Sequence, residues 1–289
     1  MPFQWSLSAS IACLAVSFVA AEEPAAPKGA RPEGVSPDSK ELVETRRLID
    51  AELPNWSIRA GRGNQSLELE RSPVLRWTNP GTGRVYGDLF LWTDRGRPLV
   101  IMSLFKAWQP ANGFHVELHS LTSGELEADR GGPPIWKPAR PGIALVAVPE
   151  APLPAESSVR RLAQMKAISR EFSIVLEDRR VNEAGEEQAL RLLSQPLYRY
   201  PSSVPDAVDG GLFTFALGTD PEIFLLLEAK KTGDGAGGGP GEWQYGLVRM
   251  NDGVLTVLHK QREVFKAERA GDRDAMRDPY VLTRIPESP

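Results

Sequence analysis

The sequence has little of the residue types that usually mark a metal site or a disulfide-rich fold. Its single cysteine is Cys13, and it contains three histidines. Because one cysteine cannot form a disulfide within the chain, cross-links cannot be what stabilises the fold. A chain of 289 residues does not need them, since a protein of that size buries most of the surface that its unfolded form exposes.

Charge of one sign and long apolar runs are also scarce. The formal net charge is −4, and acidic and basic residues are interspersed without an Arg- or Lys-rich stripe. This pattern argues against nucleic acid as a partner. Beyond the N-terminal segment, no apolar run reaches the roughly 20 residues that a membrane-spanning helix needs. We therefore expect contact with a membrane only through that segment, if it is not cleaved.

The first 21 residues have the pattern of a secretory signal. Segment 1–21 carries no charged side chain and ends in Val19-Ala20-Ala21 before Glu22, which is typical of a cleavage site. We expect 1–21 to be a signal peptide and the protein to be exported, either periplasmic or extracellular. The missing N-terminal basic residue leaves open an uncleaved membrane anchor, and Cys13 leaves open a lipoprotein. The Pro- and charge-rich segment 22–36 is expected to be a disordered linker.

Local patterns predict two helices and many strands. Ser36-Pro37-Asp38 has the order of a helix start, and an apolar stripe predicts a second helix over about 157–172. Most other segments are rich in β-forming residues and are joined by turn residues such as Asp94-Arg95-Gly96-Arg97. The predicted strands cover 67–70, 85–93, 98–108, 114–119, 212–217, 222–229, 243–250 and 254–258.

Two stretches of the chain match each other at a shift of 123 residues. The identical residues in the first stretch are Leu67, Leu69, Pro73, Arg76, Val85, Gly87, Leu89, Phe90, Pro98 and Leu104. Their counterparts are Leu190, Leu192, Pro196, Arg199, Val208, Gly210, Leu212, Phe213, Pro221 and Leu227. After the glycine-rich segment 233–241 the shift becomes 129, so that Gly124 meets Gly253. A chance likeness between strand patterns is the alternative to a duplication.

The matches predict two tandem pseudo-repeats. The first covers 37–148, the second covers 157–285, and the Pro-rich segment 149–156 joins them. We expect an α+β fold in which each repeat is one helix packed on an antiparallel β-meander of five or six strands, since that arrangement is a complete two-layer core.

Several short blocks of the sequence occur together in a known family. They are LRWTNP at 75–80, FLWT at 90–93, ELHSL at 117–121, QPLYRY at 195–200 and GTDPE at 218–222. Over about 40–282 the chain resembles a family of exported bacterial proteins of unknown function. The resemblance implies export and a two-part body, and it implies no substrate or catalytic residue.

His115, Glu117 and His119 are the most distinctive candidate residues. On a strand they share one face, so a His–Glu pair could hold a metal, bind an organic ligand or act as acid and base. The alternative is a solvated outer face of an amphipathic strand. The corresponding positions of the second repeat are Gln244, Gly246 and Val248, so the fold itself does not require polar groups there.

Two arginines occupy equivalent places in the repeats. Arg76 precedes Trp77, and Arg199 precedes Tyr200, so each guanidinium could stack on its neighbour and bind a carboxylate or sugar. A structural salt bridge in each repeat is the alternative. Asp220 and Glu222 flank Pro221 and are interpreted as a hairpin corner.

Two functions of different classes remain open. The first is an exported, non-catalytic module that binds a ligand or an envelope component between its repeats. The second is an extracytoplasmic hydrolase that uses Glu117 and His119 as acid and base or as a metal site. No cofactor is evident, and no nucleophile–base set or phosphate loop occurs.

Overall fold

The computed structural model gives the positions of most residues after the predicted linker. It describes residues 37–61, 65–81, 83–110, 112–177, 186–200, 204, 206–231, 240–270 and 276–287. All of them belong to one compact unit, Pro37–Pro289. The predicted signal peptide 1–21 and linker 22–36 lie outside the described residues. Below, "first half" means 37–148 and "second half" means 157–285.

Both predicted helices are confirmed. Helix α1 spans Pro37–Glu52 and continues into a 3₁₀ turn, Leu53–Asn55. Helix α2 spans Ser158–Ser169, and it begins after Ser157, whose hydroxyl oxygen accepts the backbone N–H of Arg160 at 3.3 Å. This is the side-chain cap that satisfies one of the free donors at a helix start. Each helix buries one apolar stripe against a sheet.

The rest of the fold consists of short and long strands. The first half contains β1 (Trp56–Ala60), β2 (Gln65–Ser66), β3 (Glu68–Leu69), β4 (Leu75–Thr78), β5 (Arg84–Asp94), β6 (Arg97–Gln109), β7 (Gly113–Ser120), β8 (Leu126–Arg130), β9 (Pro134–Trp136) and β10 (Val146–Ala147). The second half contains β11 (Phe172–Glu177), β12 (Glu187–Ala189), β13 (Arg191–Leu192), β14 (Tyr198–Tyr200), β15 (Ala207–Leu217), β16 (Asp220–Lys231), β17 (Pro240–Arg249), β18 (Val254–His259), β19 (Arg262–Ala267) and β20 (Tyr280–Ile285).

The strands form four sheets with a matching order in the two halves. The four-stranded sheets have the orders β2-β1-β8-β9 and β12-β11-β18-β19. The six-stranded sheets have the orders β20-β7-β6-β5-β3 and β10-β17-β16-β15-β13, with β4 also pairing with β5 and β14 with β15. The duplication that the sequence predicts stays a prediction, and this common order is compatible with it.

The expectation of an α+β fold is wrong. The protein is mostly β-sheet, with 55% strand, 13% helix and four sheets. The chain does not turn back beside β7: residues 121–125 carry it to the other sheet, where β8 pairs with β1 and Ala128 lies opposite Ile58. The two sheets of a half therefore enclose a core between them, and the helix covers only part of it. A strand pattern does not specify which strand is the partner, so the single meander was a false inference.

Two edge strands are exchanged between the halves. Strand β10 is the last strand of the first half but pairs with β17 of the second half, where Val146 lies opposite Tyr245. Strand β20 closes the second half but pairs with β7 of the first, where Leu282 lies opposite Glu117. Each half thus supplies an edge strand to the other's six-stranded sheet. The exchange joins the halves through backbone hydrogen bonds as well as through side chains.

The outer faces of the six-stranded sheets meet in a shared apolar core. It contains residues of β5 and β6 from the first half and of β15, β16 and β17 from the second. The members from these strands include Leu89, Leu91, Ile101, Leu212, Phe224, Leu226 and Val248. Any site between the halves must therefore lie at the margin of this core.

Candidate functional site

One face of β7 carries the three candidate residues, as the alternation predicts. The apolar residues between them belong to the core of the first half, so His115, Glu117 and His119 point to the other side of the sheet. The interpretation of this face as a solvated surface is wrong. Glu117 is 7% exposed and His119 is 4% exposed, because β20 lies beside them and contacts both through Tyr280.

Glu117 lines a small cavity at the junction of the halves, which we call the junction pocket. Its volume is about 90 Å³, equivalent to roughly three water molecules in the liquid. The first half and β20 supply Trp77, Val85, Phe105, Glu117, Tyr280 and Leu282. The opposing wall consists of Asp220, Glu222, Met250, Asn251 and Asp252. Four carboxylates and three aromatic rings thus face one cavity.

Hydrogen bonds hold the acidic groups in place. The hydroxyl of Tyr280 donates to Glu117 Oε1 at 2.5 Å, and the side-chain amide of Asn251 donates to Glu222. The amide of Asn79 donates to Asp220 Oδ2 at 2.7 Å. Burial, and then the charge of Glu117, raise the pKa of Tyr280 well above its ordinary value. The phenol therefore stays protonated and remains a donor.

A close approach between backbone and ring explains why both matched stretches have a glycine at the same position, Gly87 and Gly210. A Cβ added to Gly87 would lie 2.5 Å from the ring of Trp77, and one added to Gly210 would lie 2.0 Å from the ring of Tyr200. In both halves a glycine lets an aromatic ring lie flat on the neighbouring strand. Trp77 is fixed further by its indole N–H, which donates to Ser103 Oγ at 3.2 Å. The ring is therefore a fixed wall of the junction pocket.

His119 does not line the pocket. Its Nδ1 lies 2.9 Å from the carbonyl oxygen of Ser120, and since a carbonyl can only accept, Nδ1 carries the proton. The pKa of His119 is lowered to about 4: burial is the main cause, the hydrogen bond to Ser120 opposes it, and the nearby charge of Arg249 adds a smaller lowering. The imidazole is therefore neutral at physiological pH.

His115 lies apart from the other histidine. Its ring stacks on Phe105, with ring centroids 5.0 Å apart and an interplanar angle of 14°. Burial is the main cause that lowers the pKa of His115. Only Glu117 of the three β7 candidates reaches the junction pocket. Within the ranges given above, no group of three or more His, Cys, Asp or Glu side chains is placed to hold a metal ion.

The two arginine candidates lie next to acids rather than on rings. Arg76 and Trp77 are successive residues of β4, so they point to opposite faces of the sheet. Arg76 lies 3.7 Å from Asp88, and Arg199 donates to both oxygens of Asp209 at 2.9 and 2.6 Å. The structure thus brings Trp77 into the junction pocket and places Arg76 and Arg199 in ion pairs.

The place that corresponds to the junction pocket in the second half is different. There Arg97 Nη2 donates to Glu228 Oε2 at 2.6 Å, and the hydroxyl of Tyr200 donates to the same carboxylate. Under the 123-residue shift, Arg97 corresponds to Asp220 and Tyr200 corresponds to Trp77. Leu121, a buried apolar residue, corresponds to Met250 under the 129-residue shift, and the buried side chain of Ile143 lies against Gly246, the position that matches Glu117. One junction is therefore an apolar core with one ion pair, and the other is an acid-lined cavity.

Sequence reasoning selected Glu117 and Trp77 but missed their partners. Asp220 and Glu222 were interpreted as a hairpin corner; they do begin β16, and their side chains also line the pocket. No motif in the sequence singles out Tyr280. The sequence feature that could have indicated these partners is the mismatch between the repeats: Asp220 is matched with Arg97, and Glu117 is matched with Gly246.

Comparisons with known proteins give no further guide to function. No family model, curated protein or solved structure matches the chain.

Neither of the two helices that the structure describes is long and apolar enough to cross a membrane.

Proposed function

We propose that this protein is an exported, non-catalytic binding module that takes a small cationic group, such as an ammonium, in the junction pocket. The observation that carries the proposal is the lining itself. Glu117, Asp220, Glu222 and Asp252 supply carboxyl groups, and aromatic rings supply the wall. Carboxylates and aromatic faces are the surfaces that attract ammonium groups in proteins. Export rests on the pattern of segment 1–21.

The size of the pocket limits what can enter. A volume of about 90 Å³ admits a group of a few non-hydrogen atoms, such as a methylammonium ion or the head of a longer amine. The remainder of a larger ligand would stay outside. We infer that the pocket recognises one charged group and does not enclose a whole metabolite.

The duplication supports a specific role for the acidic residues. If the halves are two copies of one unit, the second junction demonstrates that the fold can be completed with apolar side chains and one ion pair. The carboxylates at the first junction then are not needed for folding. A binding role gives a reason for polar groups at a place where burial of charge is costly.

The alternative, a hydrolase with Glu117 and His119 as acid and base, has less support. Such a pair would have to face one substrate, and His119 is not part of the pocket lining. Its proton lies on the nitrogen that is bonded to Ser120. The hydrolase stays a prediction.

Titration with methylammonium chloride, followed by ¹H–¹⁵N NMR of the full chain, tests the proposal. The indole N–H of Trp77 is the reporter, since the ring is a wall of the pocket. We expect a saturable shift of this signal with methylammonium, and none with methanol or with sodium chloride at equal ionic strength.

A charge-removing variant and a matched control complete the experiment. Glu117→Gln keeps an oxygen that can accept from Tyr280 but removes the negative charge, so the affinity should fall by roughly tenfold. Glu263→Gln changes an exposed acid of β19 and should bind like the parent. Equal shifts with methanol and methylammonium would remove the basis for a cation site.

A further inference from the structure

A buried lysine in the first half lies beneath the C-terminal residues. Lys106, on β6, is a charged residue that is only 2% exposed, and it lies on the same face of the strand as the apolar core residue Leu104. A buried ammonium is costly unless it is paired and hydrogen-bonded. Its Nζ donates to Asn112 Oδ1 and to Glu287 Oε1, both at 2.5 Å. It also lies 5.1 Å from the ring centroid of Trp108.

The carboxylate that balances this lysine comes from the chain segment after β20. The side chain of Glu287 is 47% exposed, whereas that of Lys106 is 3% exposed. The preceding residue is also held by a cation, because Arg130 Nη2 donates to the carbonyl oxygen of Pro286 at 3.1 Å. Glu287 therefore contacts the buried ammonium of Lys106 from the protein surface. The carboxylate of a bound ligand could approach the same ammonium from that side.

An open surface depression adjoins this contact. Its volume is about 430 Å³, and it is lined by Phe114, Arg284, Ile285, Pro286 and Glu287. Phe114 lies opposite Lys106 in the β6–β7 register. Arg284 Nη2 donates to the carbonyl oxygen of Asn112 at 2.9 Å, while the side chain of Asn112 accepts from Lys106. Asn112 thus links the two cations, of which Arg284 lines the depression and Lys106 lies on the core side of the sheet, opposite Phe114.

We propose that Lys106 is the anion position of a binding site for a carboxylate ligand with an apolar chain, that Arg284 lies at the rim of this site, and that Glu287 fills the anion position in the same molecule. The ligand's carboxylate takes the place of Glu287 on Lys106, and its apolar part lies against Phe114 and Ile285. Glu287 moves into water, to which its side chain is already half open. This site is separate from the junction pocket and does not depend on the function proposed there.

The position does not need a lysine for folding. Under the 123-residue shift, Lys106 corresponds to Ala229, which is a buried member of the second half's core. A buried lysine, which needs Asn112 and Glu287 as partners, is energetically costly at a position where the second half has a small apolar residue. A binding site accounts for this lysine.

Titration with sodium butyrate tests the proposal on the full chain. The reporter is the indole N–H of Trp108, whose ring faces Lys106 and whose Nε1 donates to Thr45 Oγ1 at 3.0 Å. In Glu287→Ala the internal competitor is gone, and we expect butyrate to bind roughly tenfold more tightly than in the parent chain. Butanol and sodium chloride at equal ionic strength should produce no saturable shift.

Two further variants test the named cations. Lys106→Met in the Glu287→Ala background should abolish butyrate binding, and Arg284→Gln in that background should weaken it. Arg284 is exposed, so the second variant keeps the test decisive even if the buried substitution unfolds the protein. Glu263→Gln should behave like the parent. Equal butyrate affinity in the parent and in Glu287→Ala, or no saturable shift in either, would overturn the proposal.

Discussion

The ion pair between Arg97 and Glu228 allows a quantitative test of how the halves are joined. Arg97 is the first residue of β6 in the first half, and Glu228 lies on β16 in the second. Their side chains are 24% and 4% exposed, and Nη2 lies 2.6 Å from Oε2. Arg97→Met removes the cation and leaves the buried carboxylate with the hydroxyl of Tyr200 as its remaining described partner.

The expected loss follows from this burial. Removing one member of a buried ion pair costs about 3–5 kcal/mol, because the other charge stays buried without compensation. We expect about 3 kcal/mol for Arg97→Met, since the exposed part of the guanidinium indicates that some water can reach the carboxylate. Arg97→Met with Glu228→Met removes both charges and leaves mainly the Tyr200 hydroxyl unsatisfied, at a cost of about 1–2 kcal/mol. The double variant should therefore be more stable than the single one.

Urea unfolding, followed in parallel by tryptophan fluorescence and circular dichroism, measures both variants. Coincident transitions would justify a two-state free energy of unfolding. Arg95→Met is the matched control, because Arg95 is exposed in the same β5–β6 turn and pairs only with the adjacent Asp94 among its described partners. It should cost less than about 0.5 kcal/mol. A double variant as unstable as Arg97→Met, or a single variant as stable as the control, would refute the reasoning.

Two further predictions concern pH and packing. His119 has a folded-state pKa of about 4 against an ordinary value of 6.5, so the unfolded chain binds more protons between these values; stability should fall by about 2 kcal/mol from pH 7 to pH 5. In His119→Asn this part of the pH dependence should vanish. The free energy of unfolding, measured with urea at pH 7 and pH 5, would contradict this if it fell by the same amount in the variant as in the parent. Gly87→Ala places a Cβ 2.5 Å from the Trp77 ring and should cost about 2 kcal/mol, whereas Gly124→Ala, which meets only a side-chain oxygen at 3.4 Å, should cost less than about 1 kcal/mol; equal melting temperatures would contradict this.

Local sequence patterns predict the elements of this fold well. The turn at 94–97 joins two long strands, and β5 and β6 pair across it with Asp94 opposite Arg97. The predicted helix starts also agree with the structure. In each case the information lies within a few residues, because turn chemistry and helix caps act locally.

The pairing of distant strands could not be predicted in the same way. Nothing in the alternation of β7 indicates that its free edge pairs with β20 rather than with β8, the next strand along the chain. The Asn251-Asp252-Gly253 turn looks like a hairpin, yet β17 and β18 belong to different sheets. Partner choice depends on how whole sheets pack, and this is why the α+β meander was a wrong expectation.

The candidate site was predictable only in part for the same reason. Glu117 stood out because it lies between two histidines on one face of a strand and corresponds to Gly246 in the matched repeat. Its neighbours in space, Asp220 and Tyr280, are far from it in sequence. Only the fold brings them together, through the packing of the halves and the exchange of β20.

The most direct test of the junction pocket as a binding site is the position of a bound probe. Intermolecular nuclear Overhauser effects from the methyl group of methylammonium to the protein would give that position in solution. We predict effects to the ring protons of Trp77 and Phe105, which face the pocket, and weaker effects in Glu117→Gln at the same subsaturating concentration. Effects to aromatic rings elsewhere but none to these two, under saturating methylammonium, would contradict the central claim.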